Sequence, residues 1–151
     1  MFIAHLPAGY LLTHRLTRGR QRRRLMAVRL VAAVLPDTDL LWFYLVNDRQ
    51  NLHHDFLFHG PLFWVAVAAL VWILGRLAGW RDSGAIAGVA LASLLLHMVL
   101  DSVVAEIAWL APFSDRTFGL MEVPARHDWW VWNFILHWSF GLELAIVALA
   151  L

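Results

Sequence analysis

Polar residues divide the chain into apolar stretches at residues 26–46, 61–80, 85–111 and 129–151, with a shorter one at 1–13. About 20 apolar residues are needed to cross a hydrocarbon layer roughly 30 Å thick, so the four long stretches predict membrane-spanning helices. The short stretch cannot span upright. It lacks a basic start and a cleavage-type segment, which excludes a secretory signal, and it reads as a half-inserted or tilted helix. The expected fold class is all-α: a polytopic membrane helix bundle of four long transmembrane helices plus a short N-terminal half-helix, forming a single integral membrane domain over residues 1–151.

Composition agrees with the pattern. Of 151 residues, 61% are hydrophobic and 15% charged, and the mean hydropathy is +0.64; an ordinary soluble domain is about one-quarter charged. Trp80, Trp129 and Trp130 fall at the ends of apolar stretches, where an amphipathic indole suits the water interface. Cysteine is absent, which excludes disulfides and thiolate ligands and leaves imidazole and carboxylate to hold any metal. Every basic residue is arginine; six of the 12 lie between Arg15 and Arg24, with Arg29 just beyond, although the net charge is only +1. Such a run between two membrane segments is what the positive-inside rule produces. No nucleic-acid partner is expected, and membrane lipids, with their anionic headgroups, are the nearest partners.

A cytoplasmic arginine loop sets the rest of the topology. The turn carrying Arg76 and Arg81 is then also cytoplasmic, and residues 53–60 and 112–128 lie outside. His5, Asp37, Asp39, His54, His59, His97 and Asp101 all fall toward that outer side. An ionisable residue in a membrane segment costs a few kcal/mol on insertion scales and normally faces a partner inside the bundle; these have one another. His97 and Asp101 are four apart, on one face of a helix, able to share an ion or to hydrogen-bond. Asp37 and Asp39 follow Pro36 at a spacing no regular helix puts on one face, which predicts a break. His54 and His59 suit a bent loop, followed by Gly60 as cap and Pro61 as first helical residue. His53, Asn133, His137 and Glu143 form a second tier, as ready to join helices by hydrogen bonds as to meet an ion.

The ordered set His5-Leu-Pro-Ala-Gly9, Pro36-Asp37-Thr38-Asp39, His54 to His59, His97-Met-Val-Leu-Asp101 and Pro112-Phe113-Ser114 resembles the bacterial inner-membrane metal-dependent hydrolase family over nearly the whole chain. That family shows HxxxG, PDxD, two histidines five apart, and HxxLD followed by a Pro-Phe step. Its loop often reads His-Arg-x-x-Thr-His-Ser, whereas here the arginine position is Asp55, which leaves Arg49 and Arg126 as the cations available for an anionic substrate. A more distant similarity connects the pattern with zinc-dependent phospholipases C and related nucleases, which pair HxxxD with an aspartate about fifteen residues before a histidine, the relation of Asp39 to His54. Those enzymes carry a later HxxxE that His137 and Glu143 do not reproduce.

The resemblance implies a metal-dependent hydrolase in the bacterial inner membrane, acting on a phosphoester, with a lipid or lipid-linked compound or another small molecule as substrate and the site toward the periplasmic side. The implied ligands are His5, Asp37, Asp39, His54, His59, His97 and Asp101, with Asp101 and Asp37 as the catalytic carboxylates. Zinc is the first expectation for the divalent metal, and manganese or iron suits the same donors. Two alternatives use the same residues: divalent-cation binding or transport, and a structural membrane protein joined by polar contacts.

Overall fold

Pro7 lies in the first turn of helix α1 (His5–Leu11), where its missing N–H has no intrahelical partner to lose. The computed structural model describes residues 1, 3–12, 19–38 and 59–151, of which 19–22 by backbone alone. Helix α2 (Gly19–Val34) starts inside the arginine-rich stretch, with Arg23 and Arg24 exposed, so the expected basic loop is helical from Gly19 onward. It stops before Pro36, and a 3-10 turn (Pro36–Thr38) follows, closed by the Thr38 hydroxyl donating to the Leu35 carbonyl at 2.7 Å. The break expected at Pro36 is present, and the rest of the 26–46 stretch, from Asp39, lies outside the described residues.

Helix α3 (Pro61–Leu77) begins with Gly60 as cap and Pro61 in its first turn. It returns through a tight turn to α4 (Ser83–Asp101). Gly79 sits there at φ 75°, Trp80 N–H donates to the Gly75 carbonyl at 2.8 Å and Gly79 N–H to that of Arg76 at 3.1 Å. This is the paired closure that a left-handed glycine after a helix permits. Two short helices, α5 (Trp130–Ile135) and α6 (Ser139–Ala150), complete the chain.

Helix α4 packs on α2 and α3, and α1 lies against α2, α4 and α6. One apolar core gathers Ala32, Trp64, Leu94, Met98 and Ile107; a second gathers Ala4, Ala8 and Leu100, with Ile146 against them. The described residues are helical apart from loops and one antiparallel bridge between Ile107 and Phe118.

Four long transmembrane helices are not found among the described residues. Among the described residues, α4 alone, at 19 residues, is long and apolar enough to cross a membrane, while α3 has 17 residues and α6 has 12. The 85–111 stretch stops at Asp101 because Ser102 turns its hydroxyl back onto the Met98 carbonyl at 2.8 Å and Ile107 leaves to pair with Phe118. The 129–151 stretch breaks at 136–138, where His137 Nδ1 meets the Ser139 hydroxyl at 2.8 Å. The outer face of α3 is nonetheless apolar, with Leu70, Trp72, Ile73, Leu74 and Leu77 all exposed. Such a face is at home in lipid rather than water.

Candidate metal centre

Helices α1 and α3 begin where α2 and α4 end, and that end of the bundle collects the ionisable residues. His5 opens α1, Asp37 lies in the turn after α2, His59 precedes α3, and His97 and Asp101 occupy the last turns of α4. One ligand atom from each of His5, Asp37, His97 and Asp101 lies within 4.8 Å of all the others.

The hydrogen bond at the far side of His97 determines what its ring offers. Nδ1 is 2.7 Å from the Ala33 carbonyl, which only accepts, so Nδ1 carries the proton. In the neutral ring Nε2 is then a bare lone pair. It is buried, makes no hydrogen bond, and lies 3.0 Å from Asp101 Oδ2 and 3.6 Å from Asp37 Oδ1. A lone pair facing two carboxylates in a buried site calls for positive charge between them or on the ring. A backbone carbonyl holding the second nitrogen is the usual outer support of a metal-ligating histidine.

His5 stacks on His97, ring centroids 3.8 Å apart, and its Nε2 is 3.1 Å from Asp101 Oδ1. The other ring nitrogen of His5 is buried without a hydrogen bond. His59 Nε2 approaches Asp101 Oδ2 at 3.7 Å, and the Met1 amino group donates to Asp101 Oδ1. Asp101 is thus the hub, touched by three imidazoles. Two imidazoles and two carboxylates make a donor set suited to zinc, manganese or iron.

A family model described as YdjM inner membrane protein matches residues 1–151. The chain belongs to that family. No curated protein and no solved structure matched it. Membership makes the chain an inner-membrane protein, in keeping with α4 and the apolar face of α3. The YdjM description carries neither a hydrolase nor a phospholipase C relationship.

The other expected site residues of this YdjM family member are placed elsewhere. Asp39, Arg49, His53 and His54 lie outside the described residues. Glu143 is buried, but its carboxylate accepts the backbone N–H groups of Ile3 and Ala4, the second at 3.1 Å. The Asn133 carbonyl oxygen accepts the N–H groups of Arg126 and His127 at 2.9 and 2.7 Å, and its amide donates to the His127 carbonyl at 3.0 Å. Arg126 is exposed in that loop, and His137 is engaged with Ser139. One contributor carries no motif of its own, the Ala33 carbonyl that holds His97.

Asn133 therefore ties down a loop. Asn133→Ala removes three hydrogen bonds worth about 1 kcal/mol net each; it is expected to raise the rate of tryptic cleavage after Arg126 by roughly a hundredfold and to leave metal content unchanged. Time-resolved proteolysis beside elemental analysis checks both. Loss of metal in this variant would return Asn133 to the site.

Proposed function

We propose that the protein is a metal-dependent hydrolase of the inner membrane, acting on a phosphoester with a lipid or lipid-linked compound as the substrate class. The observation that carries the reading is His97: its Nδ1 proton is committed to Ala33, and its Nε2 is buried against Asp101 and Asp37 with no hydrogen bond. His5, Asp37, His97 and Asp101 would hold the cation. The chemistry such a cation supplies is a water acidified to a pKa of about 7 and a polarised phosphoryl oxygen.

The chain's own groups do the rest. Asp101 faces His5 with one oxygen and His97 and His59 with the other, which orients all three rings. Asp37, one-third exposed, is the carboxylate through which solvent and substrate reach the cluster, and it suits the role of base toward water. His59, which shares Asp101 Oδ2 with His97, would carry a proton to the leaving oxygen.

A multi-pass arrangement with the cluster toward the periplasm belongs to the same proposal. Arg23 and Arg24 at the start of α2, and Arg76 and Arg81 at the α3–α4 turn, lie at the end of the bundle away from the cluster, as the positive-inside rule favours for a cytoplasmic end.

Protein purified in mild detergent without a histidine tag is expected to contain stoichiometric zinc, manganese or iron. It is expected to hydrolyse a chromogenic phosphodiester or a phospholipid in mixed micelles, to lose that activity to a chelator, and to regain it on adding the metal. A folded protein that stays metal-free after reconstitution would sink the proposal. Stoichiometric metal without turnover of any phosphoester would move the site to cation binding or transport.

A further inference from the structure

Helix α1 carries His5 into the cluster but has only seven residues and no side-chain cap at its start. A helix shorter than about 12–15 residues does not hold itself in isolation. Its two ends are held by buried charges from other helices. Glu143 of α6, 1% exposed, accepts hydrogen bonds from the N–H groups of Ile3 and Ala4 immediately before His5. Arg29 of α2, 0% exposed, donates from Nη1 to the Tyr10 carbonyl at 3.2 Å, at the other end.

A carboxylate at the amino end and a guanidinium at the carboxyl end are each the sign the helix macrodipole favours. Ile146, one turn after Glu143, packs with Ala4, Ala8 and Leu100, so the helix that brings the carboxylate also joins α1 to α4 through apolar contact. Ionised groups at bilayer depth are costly and are retained where they have a partner. Here the backbone at the two ends of the helix that carries His5 is among the partners of both.

We propose that Glu143 is a positioning residue for the metal centre: with Arg29 as its counterpart, it fixes the start of α1 so that His5 meets His97 and Asp101. The inference rests on the metal reading above. Glu143 does not touch the ion; it acts through His5.

The test is the zinc affinity of the full chain in detergent, read by competition with a chromophoric chelator, for Glu143→Gln and Glu143→Ala, each alone and with His5→Ala. Glu143→Ala is expected to weaken zinc binding about tenfold, within the range seen when an outer support of a ligand is removed. Glu143→Gln keeps an acceptor oxygen and is expected to lose less. In the His5→Ala background neither change should weaken binding further, because two groups that act through one ligand are not additive. Circular dichroism checks folding, and should Glu143→Ala fail to fold, Glu143→Gln carries the comparison. An unchanged affinity, or an equal loss with and without His5, overturns the positioning role alone. A wild type that takes up no zinc, manganese or iron overturns the metal centre and the positioning role together.

Discussion

Replacing Asp101 by asparagine is expected to abolish metal retention and hydrolysis while preserving the helical fold. The amide fills the same volume at a position only 2% exposed, so the packing around Met98 and Leu100 has little reason to change. What disappears is the negative charge that faces His5 at 3.1 Å and His97 at 3.0 Å. Asparagine offers an amide where a ligand oxygen stood, and the site is left with one carboxylate, the half-open Asp37. A ligand that binds only the folded state stabilises it by about 2.7 kcal/mol at a hundred times its dissociation constant. The wild type should therefore melt at higher temperature with zinc than with a chelator, and Asp101→Asn should melt at the same temperature in both. A metal-dependent rise that survives the substitution would remove Asp101 from the centre.

Gly9→Ala is expected to destabilise the protein by about 1–3 kcal/mol, the usual cost of forcing an added methyl into a packed contact. A Cβ at Gly9 would lie 2.7 Å from Ala33 Cβ and 3.6 Å from the Arg29 carbonyl, so α1 and α2 must separate to admit it. Both sides of that contact serve the cluster: α1 brings His5, and Ala33 supplies the carbonyl that accepts the His97 Nδ1–H hydrogen bond. Metal affinity should fall along with stability. Because the nearest obstacle is the Ala33 methyl, the double variant Gly9→Ala, Ala33→Gly should recover both. Thermal melts and zinc titration on the three variants read the effect, and a double variant no better than Gly9→Ala would show that the contact acts otherwise than by crowding.

What the sequence made legible is local. His97 and Asp101 stand four apart in an apolar helix, and that spacing alone predicts one shared face. Pro36 announces the end of α2, and the Gly60-Pro61 step announces the start of α3. Less of the fold could be read where an apolar run is ended by a distant partner. Residues 103–111 are apolar apart from Glu106, so hydropathy carries α4 past Asp101; the chain leaves the helix where Ile107 finds Phe118 and Leu120 finds the Ser102 carbonyl. The break at His137 is hidden in the same way, since a histidine and a serine two residues apart do not advertise their mutual contact. Glu143 looked like a second-tier ligand because its partners are backbone amides, and an amide has no letter in a sequence. The same is true of the Ala33 carbonyl.

The contact between Ala4 and Glu143 joins residues 139 positions apart. During synthesis the first helix emerges long before α6 exists, and the start of α1 lacks its anchoring carboxylate until Glu143 has been added. A ribosome that stalls after α4 leaves the histidines and aspartates of the bundle present but α1 unmoored. Under the metal reading proposed above, His5 would be fixed for its ion only after α6 has joined α1, so a late helix would tune a site assembled mostly from early ones.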